Sequence, residues 1–116
     1  MRIEYKLDYS DHLDESELLG DIYITGDDGN TICENDTFVD SWLVALSEGT
    51  QRLEVEIHYT IDIPEEEHKL VFNKLEKNIV YGEQNIAVRN FNDIAYKLKI
   101  VIQRFLDEVN SKREEW

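Results

Sequence analysis

The chain is 116 residues long, 41% hydrophobic and 10% aromatic, enough apolar side chain to offset ordering entropy in one small core but too short to divide into two. Twelve basic residues stand against 26 acidic ones, a net charge of −14 that repels a phosphate backbone at long range and argues against nucleic acid as a partner. The single cysteine, Cys33, leaves no internal disulfide, no apolar run approaches a membrane span, and no apolar h-region follows Met1-Arg2, so the expectation is one cytoplasmic domain over residues 1–116 whose partners are basic or neutral.

Ile3-Glu4-Tyr5-Lys6-Leu7-Asp8-Tyr9 alternates apolar and polar residues and predicts a first strand with one wet face. Ser10 to Glu17 has no period and carries Asp11, Asp14, Glu15 and Glu17, which reads as an exposed acidic loop. A second strand over about 18–25 leads into Gly26-Asp27-Asp28-Gly29-Asn30, where Asp-Gly suits the positive φ of a hairpin turn, and 31–33 returns as a short strand. Asn35, Asp36 and Thr37 offer N-caps, and Phe38, Trp42, Ala45 and Leu46 follow at helical spacing up to Gly49, which predicts a helix over 37–48.

Leu53, Val55, Ile57, Tyr59 and Ile61 then alternate with Glu54, Glu56, His58, Thr60 and Asp62 until Pro64, the clearest strand pattern in the chain. Shorter extended segments at 68–75, 78–81 and 85–89 have the spacing of an antiparallel meander. Ile94, Leu98, Val101, Ile102, Phe105 and Val109 recur every three or four residues, predicting a helix over 93–110 with Asn92 as N-cap and Phe91 and Tyr96 placed as a hydrophobic staple. Residues 111–116 read as a fraying tail.

The order of elements contains no βαβ alternation, so the expected architecture is α+β: a predominantly antiparallel sheet of about five to seven strands with both helices on one face. Charge is unevenly spread. Residues 1–68 hold 19 acids and 3 bases, whereas residues 69–116 hold 7 acids and 9 bases. Strand alternation would put Glu4, Asp8, Glu54, Glu56, His58 and Asp62 on the wet side of the sheet. That carboxylate-rich face and the acidic loop give the candidate partner-binding residues Asp11, Asp14, Glu15, Glu54, Glu56, His58 and Asp62.

No catalytic, cofactor-binding or metal site is read. The histidines His12, His58 and His68 lie in separate elements without zinc-ligand spacing, and the acidic loop lacks the calcium-loop pattern with its central glycine. Glu34 and Asp36 beside Cys33 raise rather than lower a thiol's pKa, which disfavours a nucleophile. Carboxylate pairs abound, and none stands out by its setting.

The acidic hairpin region Gly20 to Cys33, the segment Phe38-Val39-Asp40-Ser41-Trp42-Leu43 and the closing segment Tyr81 to Leu106 together resemble, in element order, small bacterial immunity proteins that neutralise toxins of polymorphic and contact-dependent systems, as well as uncharacterised domains of similar size. The resemblance implies an acidic protein that plugs a basic toxin by charge complementarity. The expected function is therefore non-enzymatic binding of a basic protein; the alternative is a structural or assembly domain that forms a homodimer.

Overall fold

The computed structural model describes residues 1–8 and 18–115. Within these residues seven antiparallel strands and two helices follow one another as β1 (Arg2–Leu7), β2 (Leu19–Thr25), β3 (Thr31–Phe38), α1 (Val39–Arg52), β4 (His58–Asp62), β5 (Lys69–Asn73), β6 (Asn78–Tyr81), β7 (Gln84–Ala87) and α2 (Phe91–Glu115). The fold is α+β. The strands divide into two sheets, β1-β2-β3 and β4-β5-β6-β7, where the sequence pattern pooled them in one. α1 packs on β2 of the first sheet and on β4 and β5 of the second, and α2 lies against β1 and α1.

Placing α1 between two sheets requires apolar side chains around much of its circumference. Val39, Trp42, Leu43, Ala45, Leu46 and Gly49 are all buried there. Of the stripe its spacing predicts, α2 buries Ile94, Leu98, Val101, Phe105 and Val109, while Ile102 is only half-buried. It begins two residues before the expected start because the side chain of Asn90, not Asn92, accepts the Asn92 N–H at 2.9 Å. Tyr96 is exposed and makes no staple.

Two expectations are corrected around α1. The helix does not stop at Gly49: it runs to Arg52, and residues 53–57 form a turn, so the strand expected over 53–61 shrinks to His58–Asp62. Gly49 is a packing residue, since a Cβ there would stand 2.1 Å from Cε2 of Phe72. With the helix continued, Leu53 completes its buried stripe, while Val55 and Ile57, apolar by alternation, are exposed. At the other end, Asn35, Asp36 and Thr37 do not cap the helix but extend β3, and the N-cap residue is Phe38, without a side-chain cap.

A β-bulge explains what those residues do instead. Between the pairs Ile22↔Glu34 and Gly20↔Thr37, Asn35 and Asp36 stand opposite Asp21 alone. Asp36 takes φ 50°, and its N–H donates to Asp21 Oδ1 at 3.1 Å. In a regular strand Glu34 and Thr37 would face opposite sides; the extra residue turns both towards the second sheet.

Candidate functional site

The sequence-derived acidic face is not assembled as expected. Asp11, Asp14 and Glu15 lie outside the described residues. Glu54 and Glu56 are exposed, but on the turn after α1 rather than on a strand. His58 and Asp62 do occupy the wet face of β4, where Asp62 lies 3.8 Å from Lys69 across the strand pair, while Glu4 belongs to the other sheet. The four-stranded sheet thus shows a mixed wet face of His58, Asp62 and Lys69.

The carboxylates that do gather around apolar surface are on α1. A groove of about 530 Å³ runs between the two helices, with Leu43, Val44, Ile102, Phe105 and Leu106 as its apolar part and Asp40, Ser47, Glu48 and Gln51 along the α1 side. Val44 is 67% exposed and Leu106 47%, so two large apolar side chains stand in solvent beside two acids. Among the described residues no basic one lines it. The helix spacing that puts Asp40, Val44 and Glu48 four residues apart places them in one row along the outward face. That same row borders a second groove of about 560 Å³, whose other wall is Tyr59, Thr60, Ile61, Asp62 and Pro64 of β4 and its exit.

A second cluster ties the two sheets together. Trp42 Nε1–H donates to Thr37 Oγ1 at 3.0 Å, and the Thr37 hydroxyl donates to Glu66 Oε1 at 2.5 Å. The Tyr81 hydroxyl faces two carboxylates, Glu34 Oε1 at 2.9 Å and Glu66 Oε2 at 3.2 Å, and has one proton to give. Burial, followed by the nearby Glu34, raises the Glu66 pKa against the lowering effect of the Thr37 and Tyr81 hydrogen bonds. Burial, with both carboxylates beside it, pushes the Tyr81 phenol up as well, so it stays protonated. Trp42 and His68 pack edge-on to the Tyr81 ring at 4.8 and 5.4 Å between centroids.

Sequence reading missed this cluster for a physical reason: Glu66 sits in the run Glu65-Glu66-Glu67, which has the pattern of a solvated loop. It is a turn that directs Glu66 inwards. The Glu66 N–H donates to the Ile63 carbonyl at 3.1 Å, with Pro64 and Glu65 central and Glu65 at φ 70°, the arrangement of a type II turn. Cys33, half-buried, has its thiol pKa raised by burial and then by Asp21 and Glu34. Among the described residues no three His, Cys, Asp or Glu side chains converge as a metal site, and no helix is long and apolar enough to cross a membrane.

No family model matches the chain, and no curated protein or solved structure matches it either.

Proposed function

We propose that the chain is a non-enzymatic binding protein that takes up a basic protein through the groove between α1 and α2. The observation that carries this reading is the pairing, in one groove, of exposed apolar side chains (Val44 and Leu106) with carboxylates (Asp40 and Glu48) and, among the described residues, no balancing base. Exposed apolar surface supplies affinity on desolvation, and the surrounding field of a chain with net charge −14 raises the rate of encounter with a cation-rich partner. The groove suits an amphipathic segment with apolar anchors flanked by lysine or arginine. Neutralisation of a basic toxin, the role of the immunity proteins this chain resembles, is one task such a groove could perform.

The test compares capture by the wild-type chain and by the variants Val44→Glu and Leu106→Glu, whose side chains already face solvent. One basic protein held in stoichiometric amount, released by salt and lost in both variants supports the reading. Capture that is indifferent to both substitutions, or the absence of any basic protein at low salt, overturns it.

A further inference from the structure

The second groove leads to the open edge of β4. Among the described residues β4 is the terminal strand of its sheet and pairs only with β5. Lys74 N–H donates to the Ile57 carbonyl at 2.9 Å, in line with the β4–β5 register, so the odd-numbered residues make the bonds to β5. By alternation the N–H and C=O groups of His58, Thr60 and Asp62 point away from β5, and no described residue meets them. This is a strand edge with its hydrogen-bonding groups presented and no lysine or bulge to blunt it.

We propose that a second copy of this chain pairs with that edge, β4 against β4 in antiparallel register about a two-fold axis at Thr60. In that register His58 lies opposite Asp62 of the other copy, Thr60 opposite Thr60, and Tyr59 opposite Ile61. Each pairing is of a favourable kind: opposite polarity, hydroxyl with hydroxyl, aromatic with β-branched. The residues that face one another across the axis are the same ones whose backbone groups point outwards, so each pair can exchange both its N–H···O=C bonds. The half-buried Tyr59 and Ile61 continue the packed face of the sheet, and the exposed His58, Thr60 and Asp62 its wet face, so the joined sheet keeps one buried side throughout. Pro64 follows β4 closely and bounds the pairing. Repulsion opposes it: each copy carries −14, and Asp40 and Glu48 border the groove beside the edge. Salt therefore strengthens this association, whereas it weakens the capture of a basic protein.

Sedimentation velocity over a micromolar-to-millimolar concentration series, at low and at moderate sodium chloride, tests the pairing. The expected result is a monomer–dimer equilibrium that salt shifts towards dimer. Thr60→Pro removes an N–H that points away from β5, so the monomer stays folded by circular dichroism while dimerisation weakens on the order of tenfold or more. His58→Asp and Asp62→His each weaken the dimer, and the two substitutions combined restore it, because they exchange the partners across the axis. A chain monomeric throughout the series overturns the proposal, as does a dimer indifferent to Thr60→Pro. A monomeric chain whose capture of a basic protein is abolished by Thr60→Pro also overturns it, and assigns the edge to a strand of that partner. Loss of capture in Val44→Glu and Leu106→Glu is read separately, so either reading can fail without the other.

Discussion

The side-chain amide of Gln84 pairs with the backbone of Cys33, accepting its N–H at 2.8 Å and donating to its carbonyl at 3.4 Å. Gln84 opens β7 and Cys33 lies on the outer edge of β3, so one side chain substitutes for a neighbouring strand where the two sheets meet. Asp27 adds a second tie at the same seam: its N–H donates to the Ala87 carbonyl at 2.8 Å, and its Oδ2 accepts the Arg89 N–H at 2.7 Å. Gln84→Ala leaves a partly buried backbone donor without its partner and is expected to cost about 1–2 kcal/mol in urea unfolding. Gln84→Glu keeps the acceptor, loses the donor and brings a carboxylate to the Cys33 carbonyl, so its cost should be at least as large.

Gly49 stands within α1 against the Phe72 ring. Alanine is the better helix former by about 1 kcal/mol, so an exposed site would gain from Gly49→Ala. Here the added methyl meets an aromatic ring held by the core, and overpacking of that kind costs roughly 1–3 kcal/mol. The expected outcome is net destabilisation in Gly49→Ala, largely relieved when Phe72→Leu makes room; a stabilised single variant would show that the ring moves aside freely.

The elements that could be read from the sequence are those whose local signals agree with their tertiary setting. The β2–β3 hairpin has Gly29 at φ 85° where Asp-Gly predicts a positive value, and α2 buries all the residues its period selects except the half-buried Ile102. The misreadings share a cause, which is that a local signal had a non-local use. Gly49 resembled a helix stop because nothing in the sequence places Phe72 against it. Leu53 to Ile61 alternated perfectly, yet Leu53 is the C-cap that continues the buried stripe of the helix, while Val55 and Ile57 lie in the exposed turn after it. Thr37 has the chemistry of an N-cap, but its hydroxyl is committed to Trp42 and Glu66. The groove between the helices was invisible for a further reason: Val44 and Leu106 mark it only once the two helices are known to lie side by side.

Glu65 holds a left-handed backbone, φ 70°, at the position of a type II turn that favours glycine. An L-residue there costs about 1 kcal/mol relative to glycine, against which glycine loses more entropy on folding. Glu65 is exposed, so its removal leaves no buried vacancy. Glu65→Gly is expected to raise stability by up to about 1 kcal/mol without altering the Thr37–Glu66 contact. Glu65→Val, β-branched and ill suited to positive φ, should instead lower the thermal midpoint. If both variants melt with the wild type, the turn does not hold the strain its dihedral implies.

Glu66 gives the fold a pH dependence of unusual sign for a carboxylate. Burial and Glu34 raise its folded pKa above the ordinary carboxylate value, so the folded chain holds that proton more tightly than the unfolded one. The stability linked to it is fully present below the unfolded pKa and is lost as pH rises through the folded one. With the proton on, the Glu66 carboxyl donates to the Tyr81 oxygen, Tyr81 donates to Glu34, and every group from Trp42 to Glu34 is satisfied. Glu66→Gln imitates that state permanently, its carbonyl accepting from Thr37 and its amide donating to Tyr81. The variant should gain on the order of 1 kcal/mol over wild type near neutral pH, and the gain should fall away as the solution is acidified to the ordinary carboxylate range. Asp27, whose pKa is lowered chiefly by the Arg89 N–H, contributes in the opposite direction in both proteins and cancels in the difference. Urea unfolding of the pair across this range measures it. A difference that is flat with pH would mean that Glu66 is ionised in both states and that Tyr81 gives its proton to one carboxylate while the other goes without.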